Sequence, residues 1–241
     1  MSGLSILHLE HLDSTNTFLK NRIKCGDISI KAATADIQTS GRGRGFNQWV
    51  SLRGNLHLSV AVEYTSDPIP VGPWCTKIAH AVISEKFGIK PQIKWPNDLL
   101  YDNTKIAGFL LEMVSSPCGR KFVICGFGLN LTKVPTPDSS FHYKPGCIAD
   151  FSDVKISPRI IGEELAAGFL NYNDYINKND LRLWISENSA TIGTKVQVIL
   201  PGNRVITGTA TSLGDDFALE VQTLDSTIKI TGGDLVHLME N

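Results

Sequence analysis

Apolar residues recur along this chain with two different periods, and the switches between those periods divide it into elements. Ile6 to Leu12 reads as a short strand, and the polar run Asp13-Ser14-Thr15-Asn16 then caps a helix whose face carries Phe18, Leu19, Arg22 and Ile23. Lys31 to Gln38 reads as a buried strand. Asn55 to Tyr64 alternates Leu56, Leu58, Val60 and Val62 with His57, Ser59, Ala61 and Glu63, the two-residue period of a strand. After a proline-rich turn from Asp67 to Pro73, Trp74, Ile78, Ala81, Val82 and Glu85 fall at helical intervals up to Gly88. Gln92 to Trp95 reads as a strand end that Pro96 stops, and Leu99 to Tyr101 with Thr104 to Val114 predict a hairpin turning at Asp102-Asn103. Lys121 to Gly128 follows as a further strand. Asn130 to Asp150 holds Pro135, Pro137 and Pro145 with little periodicity and predicts a long surface connection. Ser157-Pro158 opens a helix with Ile161, Leu165, Phe169, Tyr172 and Ile176 on one stripe, and a shorter helix surrounds Leu181, Trp184 and Ile185.

From Thr194 the texture changes to short strands at Lys195 to Ile199, Arg204 to Ile206, Phe217 to Leu219 and Thr227 to Ile230, separated by Pro-Gly-Asn, Gly-Asp-Asp and Leu-Asp-Ser turns. That pattern predicts a small all-β module, a barrel, with no recognisable catalytic set of its own. The expected division is residues 1–188 as one domain and 189–241 as a second. A chain of 241 residues has ample material for both cores.

Bulk charge narrows the partners. The formal net charge is −1, so no global basic field argues for a polyanion as the main partner, and any anion must be bound locally. The five cysteines are scattered and free of CxxC spacing, which fits a reduced compartment. The six histidines pair with no Cys or acid at zinc-site intervals, so no fixed protein metal site is expected. No signal-peptide pattern opens the chain and no run approaches the ~20 apolar residues of a membrane helix. A cytoplasmic protein with no membrane partner is expected.

The local chemistry is concentrated in a few stretches. Ser40 to Trp49, SGRGRGFNQW, alternates glycine with guanidinium between two strands. Gly41, Gly43 and Gly45 permit close backbone approach to a ligand, while Arg42 and Arg44 supply forked cations that match carboxylate or phosphate oxygens. Alone, such a run reads as a solvated loop or nucleic-acid tether; hung on a rigid sheet, it reads as an anion cradle that can close. Ser14, Thr15 and Asn16 place hydroxyls and an amide beside free helix N–H groups, although capping alone explains them. Lys94-Trp95-Pro96-Asn97-Asp98 gathers a cation, an aromatic, an amide and a carboxylate at one strand terminus, or is a simple turn. Lys105 opens a strand in which Ala107-Gly108 leave room for a ligand to lie flat. Gly126 and Gly128 invite the same approach, which a β-bulge would explain equally well.

Taken in order, Asp13-Ser14-Thr15-Asn16, Gln38 with GRGRG, KWPND, Lys105-Ile-Ala-Gly and GFGLN closely resemble the motifs of biotin protein ligases. The resemblance covers roughly residues 8 to 131 by motif and the remainder by architecture. It implies an α+β fold: a mixed, mostly antiparallel sheet with packed helices, class II synthetase-like, followed by a small C-terminal SH3-like β-barrel. It implies a two-step reaction in which biotin and ATP, with Mg²⁺, give biotinyl-5′-AMP, and the biotinyl group then passes to a lysine of a biotin carboxyl carrier protein. Carried over by position, Ser14, Thr15, Asn16 and Gln38 bond the ureido ring, with Gly108 and Gly128 also on the biotin side. Arg42, Gly43, Arg44 and Lys105 hold the carboxylate and α-phosphate. Gly41 and Trp49 belong to the adenylate side, with Trp49 covering it. Lys94, Asn97 and Asp98 complete the site, Asp98 helping the acceptor lysine lose its proton, and Asn130 faces the nucleotide.

The chain departs from the family pattern where many members continue the cradle with further basic residues, since here Gly45, Phe46, Asn47 and Gln48 stand before Trp49. The short stretch before the first motif leaves no room for the winged helix-turn-helix of ligases that double as repressors, so DNA operator binding is not expected. The resemblance leaves room for a homodimer. A lipoate or octanoate ligase or transferase shares the fold, and KWPND with GRGRG favours biotin over it. A nucleic-acid binding module built on the RG run and the barrel is the competing class, and the near-zero net charge weighs against it.

Overall fold

The computed structural model describes residues 6–45, 47–136, 143–173 and 175–238. The larger sheet is built from β1 (Ile6–Leu12), β2 (Ala32–Gln38), β3 (Leu56–Tyr64), β4 (Gln92–Lys94), β5 (Asp98–Tyr101), β6 (Thr104–Ser115) and β7 (Lys121–Leu129), in the order β1-β2-β3-β7-β6-β5-β4. β1 and β2 run parallel; the other neighbours are antiparallel. Asp102 and Asn103 both take positive φ between β5 and β6, as a tight two-residue hairpin requires.

The described residues form four α-helices, and each starts or stops where its sequence dictates. In α1 (Thr15–Lys24) the Ser14 hydroxyl accepts from the Thr17 backbone, and in α3 (Pro158–Leu170) the Ser157 hydroxyl accepts from that of Ile160. α2 (Val71–Phe87) ends on Gly88 in the left-handed conformation, and α4 (Lys178–Glu187) is capped by Asn177. Leu19 and Ile23 of α1 pack on Ala33, Ala61, Phe122 and Ile124 on one face of the sheet. The opposite face carries Leu56, Leu58, Val60, Val123, Cys125 and Phe127, which form a larger core with α2, α3 and α4. Coverage on both sides explains why β3 is buried continuously from Leu56 to Val62.

The small sheet contains β8 (Lys195–Ile199), β9 (Val205–Leu213), β10 (Leu219–Gln222), β11 (Thr227–Ile230) and β12 (Asp234–His237), antiparallel in the order β11-β10-β9-β8-β12. β12, which follows Gly232-Gly233, was not anticipated. β10 begins two residues later than its apolar run, because Phe217 adopts φ 60° within the preceding turn. The connection from Asn130 is not purely superficial: Asn130, Leu131, Cys147 and Ile148 are buried. The Asn55 side-chain oxygen accepts from the backbone N–H groups of Leu131, Thr132 and Lys133 at 3.1–3.2 Å, which sews this segment to the end of β3. Residues 137–142, with Pro137, lie outside the described residues. Tyr172 and Ile176 fall beyond the end of α3 rather than on it. No described helix is long and apolar enough to cross a membrane.

Candidate active site

The cavity begins where one face of the sheet runs out of side chains. Along β7, Phe122 and Ile124 fill the space beneath α1, and Gly126 and Gly128 continue the same face with nothing. β6 repeats the device with Val114, Glu112, Leu110 and Gly108. The register sets His57, Gly128, Gly108 and Asp98 side by side across β3, β7, β6 and β5. The result is a glycine-floored trough at the centre of a cavity of about 410 Å³, within the range of ordinary ligand sites.

One end of the trough is neutral and rich in hydrogen-bonding groups. The Thr15 backbone N–H and hydroxyl reach Gln38 Oε1 at 2.9 and 3.1 Å, and Gln38 Nε2 donates to Ser51 Oγ at 3.1 Å. Ser59 Oγ lies 2.7 Å from Thr15 Oγ1 and 2.5 Å from Asn16 Oδ1. Asn16 Nδ2 donates to Glu112 Oε2 at 3.0 Å. Ser14, Thr15, Asn16 and Ser59 are all buried. Asn16 occupies the space over Gly126, where a Cβ would lie 2.3 Å from its Oδ1.

The other end is cationic. Lys105 Nζ sits 2.7 Å from Asp98 Oδ1, and Lys94 Nζ 3.8 Å from Asp98 Oδ2. Burial pulls the Lys94 pKa down and the Asp98 charge opposes this. Lys94 also lies 5.1 Å from the centre of the Tyr143 ring, whose hydroxyl is pushed up to about 12 by burial and by Asp98. Arg44 Nη1 reaches Asn97 Oδ1 at 3.4 Å and the Gly233 carbonyl at 3.2 Å, so the smaller sheet contributes to the wall. Gly233, Asp234 and Leu235 line the cavity too.

The glycine–arginine loop is folded back on itself as a small hairpin. Trp49 N–H donates to Gly41 O at 3.0 Å and Gly43 N–H to Asn47 O at 2.8 Å, with Arg42 bridging Gln48. Gly45 takes φ 59° at the tip. Arg42 turns toward Glu112 at 2.6 Å, which also holds Lys20 at 2.8 Å. Burial pushes the Glu112 pKa up, but hydrogen bonds from Lys20 and Asn16 and the Arg42 charge outweigh it. The Trp49 ring lies on Gly128, 5.8 Å from Lys105 Nζ.

Of the residues singled out by sequence, Ser14, Thr15, Asn16, Gln38, Arg42, Gly43, Arg44 and Trp49 line this one cavity together with Lys94, Asn97, Asp98, Lys105, Gly108 and Gly128. Gly41 and Asn130 do not. A Cβ at Gly41 would lie 2.3 Å from the Trp49 carbonyl, so that glycine shapes the loop base. Asn130, expected to face a nucleotide, is turned into the protein: its Nδ2 donates to Gly146 O at 3.1 Å and its Oδ1 accepts from Asn55 at 3.4 Å. Sequence reasoning missed Ser59, His57 and Glu112. The first two were visible as the polar half of the β3 alternation, and Glu112 as the lone acid in an apolar run.

The family model for the biotin/lipoate A/B protein ligase family matches residues 9–130. A biotin–[acetyl-CoA-carboxylase] ligase from Mycobacterium tuberculosis is 32% identical over 238 residues, covering 93% of this chain and 86% of that one. The chain belongs to the biotin/lipoate A/B protein ligase family. Among solved structures, the biotin protein ligase from Aquifex aeolicus in complex with biotin and ATP superposes with a TM-score of 0.79 at 19% identity, covering 99% of this chain and 100% of that one. The Leishmania major biotin protein ligase in complex with biotinyl-5-AMP gives 0.69 at 24% identity, covering 98% and 99%. At these identities the two structures speak for the fold of this family member.

Proposed function

We propose that this family member is a biotin–[biotin carboxyl carrier protein] ligase that joins biotin to AMP and then transfers the biotinyl group to a carrier lysine. One observation carries the reading: a single cavity holds a neutral hydrogen-bonding cluster at one end and Arg44, Lys94 and Lys105 at the other, joined by a glycine floor. The ureido ring, with its donors and acceptor, suits Ser14, Thr15, Asn16, Gln38 and Ser59. The flat apolar body and acyl chain suit the glycine floor of Gly126, Gly128 and Gly108, beside Asn16 and the Trp49 ring. The carboxylate, which must approach a phosphate against its own charge, suits Lys105 and Arg44. Fixed cations there offset the repulsion and stabilise charge building at the α-phosphorus, in a site that excludes water from a reactive anhydride.

In this reading Asp98 holds Lys105 and Lys94 in place and takes up a proton as the carrier lysine attacks, while Arg42 acts from the loop through Glu112. Mg²⁺ enters with the ATP phosphates. Residues 1–188 form the catalytic domain and 189–241 the SH3-like barrel domain. The acceptor is the lysine of a carboxylase carrier domain.

Incubation with ATP, Mg²⁺, biotin and a biotin carboxyl carrier domain, followed by mass spectrometry, should give biotinyl-AMP and a singly biotinylated acceptor. Absence of both products would refute the reading. Titration calorimetry with biotin and with lipoate separates the two acids that the family name covers, and tighter binding of lipoate would reverse the assignment.

A further inference from the structure

Two buried polar atoms flank Gly128 without a hydrogen-bond partner among the described residues: Nε1 of Trp49 and Nε2 of His57. Their chemistries are complementary. His57 is 2% exposed, and its Nδ1 lies 3.1 Å from the carbonyl oxygen of Ala35. A carbonyl only accepts, so Nδ1 carries the proton and Nε2 presents a lone pair. Burial holds the ring below its usual pKa, against the Ala35 bond and the Asp36 charge, which keeps it neutral. The indole nitrogen can only donate.

Both side chains line the same cavity. His57 stands directly opposite Gly128 in the β3–β7 register, and a Cβ built at Gly128 would lie 2.9 Å from Trp49 Nε1. Buried groups of this kind are costly to leave unpaired, and a donor and an acceptor facing one glycine can cancel each other's deficit. Trp49 is also the end of the loop hairpin, tied to Gly41 through its backbone. A movement of that hairpin onto a bound ligand therefore carries the indole along the trough.

We propose that His57 accepts a hydrogen bond from the Trp49 indole N–H when the glycine–arginine loop seats over the acyl-adenylate, making His57 a positioning residue for the lid. This rests on the ligase reading. Gly45, Asn47 and Gln48 add no charge to those of Arg42 and Arg44, so a neutral bond at the base of the loop supplies part of the closure. His57 touches no reacting atom in this account; it acts through Trp49.

The test compares wild type, His57→Leu, His57→Gln, Trp49→Phe and the Leu/Phe double variant, measuring biotinyl-AMP formation and its rate of release. Each of His57→Leu and Trp49→Phe should speed release about tenfold, and the double variant should be no faster than either, with the thermal midpoint little changed. His57→Gln, which offers an amide oxygen as acceptor, should restore slow release. In ¹⁵N spectra the Trp49 indole N–H should move downfield on adding biotin and ATP to wild type and not to His57→Leu. Additive effects, about a hundredfold in the double variant, would overturn the pairing. So would a raised KM for biotin in His57→Leu alone, which would place His57 on the ligand itself. An active wild type with additive variants removes only the pairing, whereas a wild type that forms no adenylate removes the ligase reading and this proposal with it.

Discussion

Asp98 sits between two lysines, 2.7 Å from Lys105 and 3.8 Å from Lys94, and so acts as counter-charge for the cationic end of the cavity. Lys105 is the more accessible of the pair, with its side chain 31% exposed against 8% for Lys94. In the ligase reading it is therefore the cation that meets the incoming carboxylate. Lys105→Ala should lower the rate of biotinyl-AMP formation by roughly 10²–10³-fold, the usual cost of removing one fixed charge-stabilising donor, with unchanged circular dichroism; a wild-type single-turnover rate would take Lys105 out of the chemistry. Arg44 differs, since it bonds Asn97 on one side and Gly233 on the other and so ties the loop to both sheets. Arg44→Gly should loosen adenylate retention, seen as biotinylation of bystander lysines in an added unrelated protein. Retention equal to wild type would place Arg44 outside the site.

β7 shows how one strand makes both core and cavity. Phe122 and Ile124 bury apolar area under α1, and the same face then turns to glycine just where Asn16 and Trp49 need the space. Gly126→Ala would put a methyl 2.3 Å from Asn16 Oδ1, a contact that must displace the amide and its bonds to Glu112 and Ser59. The expected outcome is a KM for biotin raised on the order of 10- to 100-fold, corresponding to about 1.4 to 2.7 kcal/mol of binding, with the KM for ATP nearly constant. An equal rise in both would show that the whole sheet had shifted. The floor was legible in KFVICGFG as an alternation that changes from large residues to none. The lid was legible as a loop but not as a hairpin, because its closure depends on Gly43–Asn47 and Gly41–Trp49 backbone bonds that no side-chain pattern announces.

Polar bonds also join the ends of the two sheets. Trp95 Nε1 donates to Phe217 O at 3.1 Å, Trp95 N–H donates to Thr191 Oγ1 at 3.1 Å, and Thr191 Oγ1 lies 3.0 Å from His237 Nε2, whose other ring nitrogen meets Tyr143. Burial, with the Lys94 charge adding, holds the His237 pKa at about 4, below the ordinary imidazole value of 6.5. The unfolded chain therefore takes up a proton between those two values that the folded chain refuses, so this contribution is complete above pH 6.5 and is lost as pH falls toward 4. His57 and His80 are shifted the same way by burial. Urea midpoints should thus drop across that window, His237 accounting for on the order of 2 kcal/mol. His237→Gln should flatten part of the slope, and a slope identical to wild type would show that this junction does not titrate.

Local pattern was enough for most elements, because helix caps, turn residues and two-residue alternation act between near neighbours in the chain. Composition argued that any anion is bound locally, and the resemblance carried by GRGRG, KWPND and Lys105 named residues that the fold brings to one cavity. None of these reveals which polar side chains end up without partners. Asn130 looked ligand-facing until Asn55 and Gly146 claimed it, and the alternation of β3 alone did not show that His57 is buried. Burial and pairing are properties of surroundings assembled from distant segments, so β12 beside Arg44, Glu112 beneath Arg42 and Trp49 on Gly128 became visible only after the chain had folded.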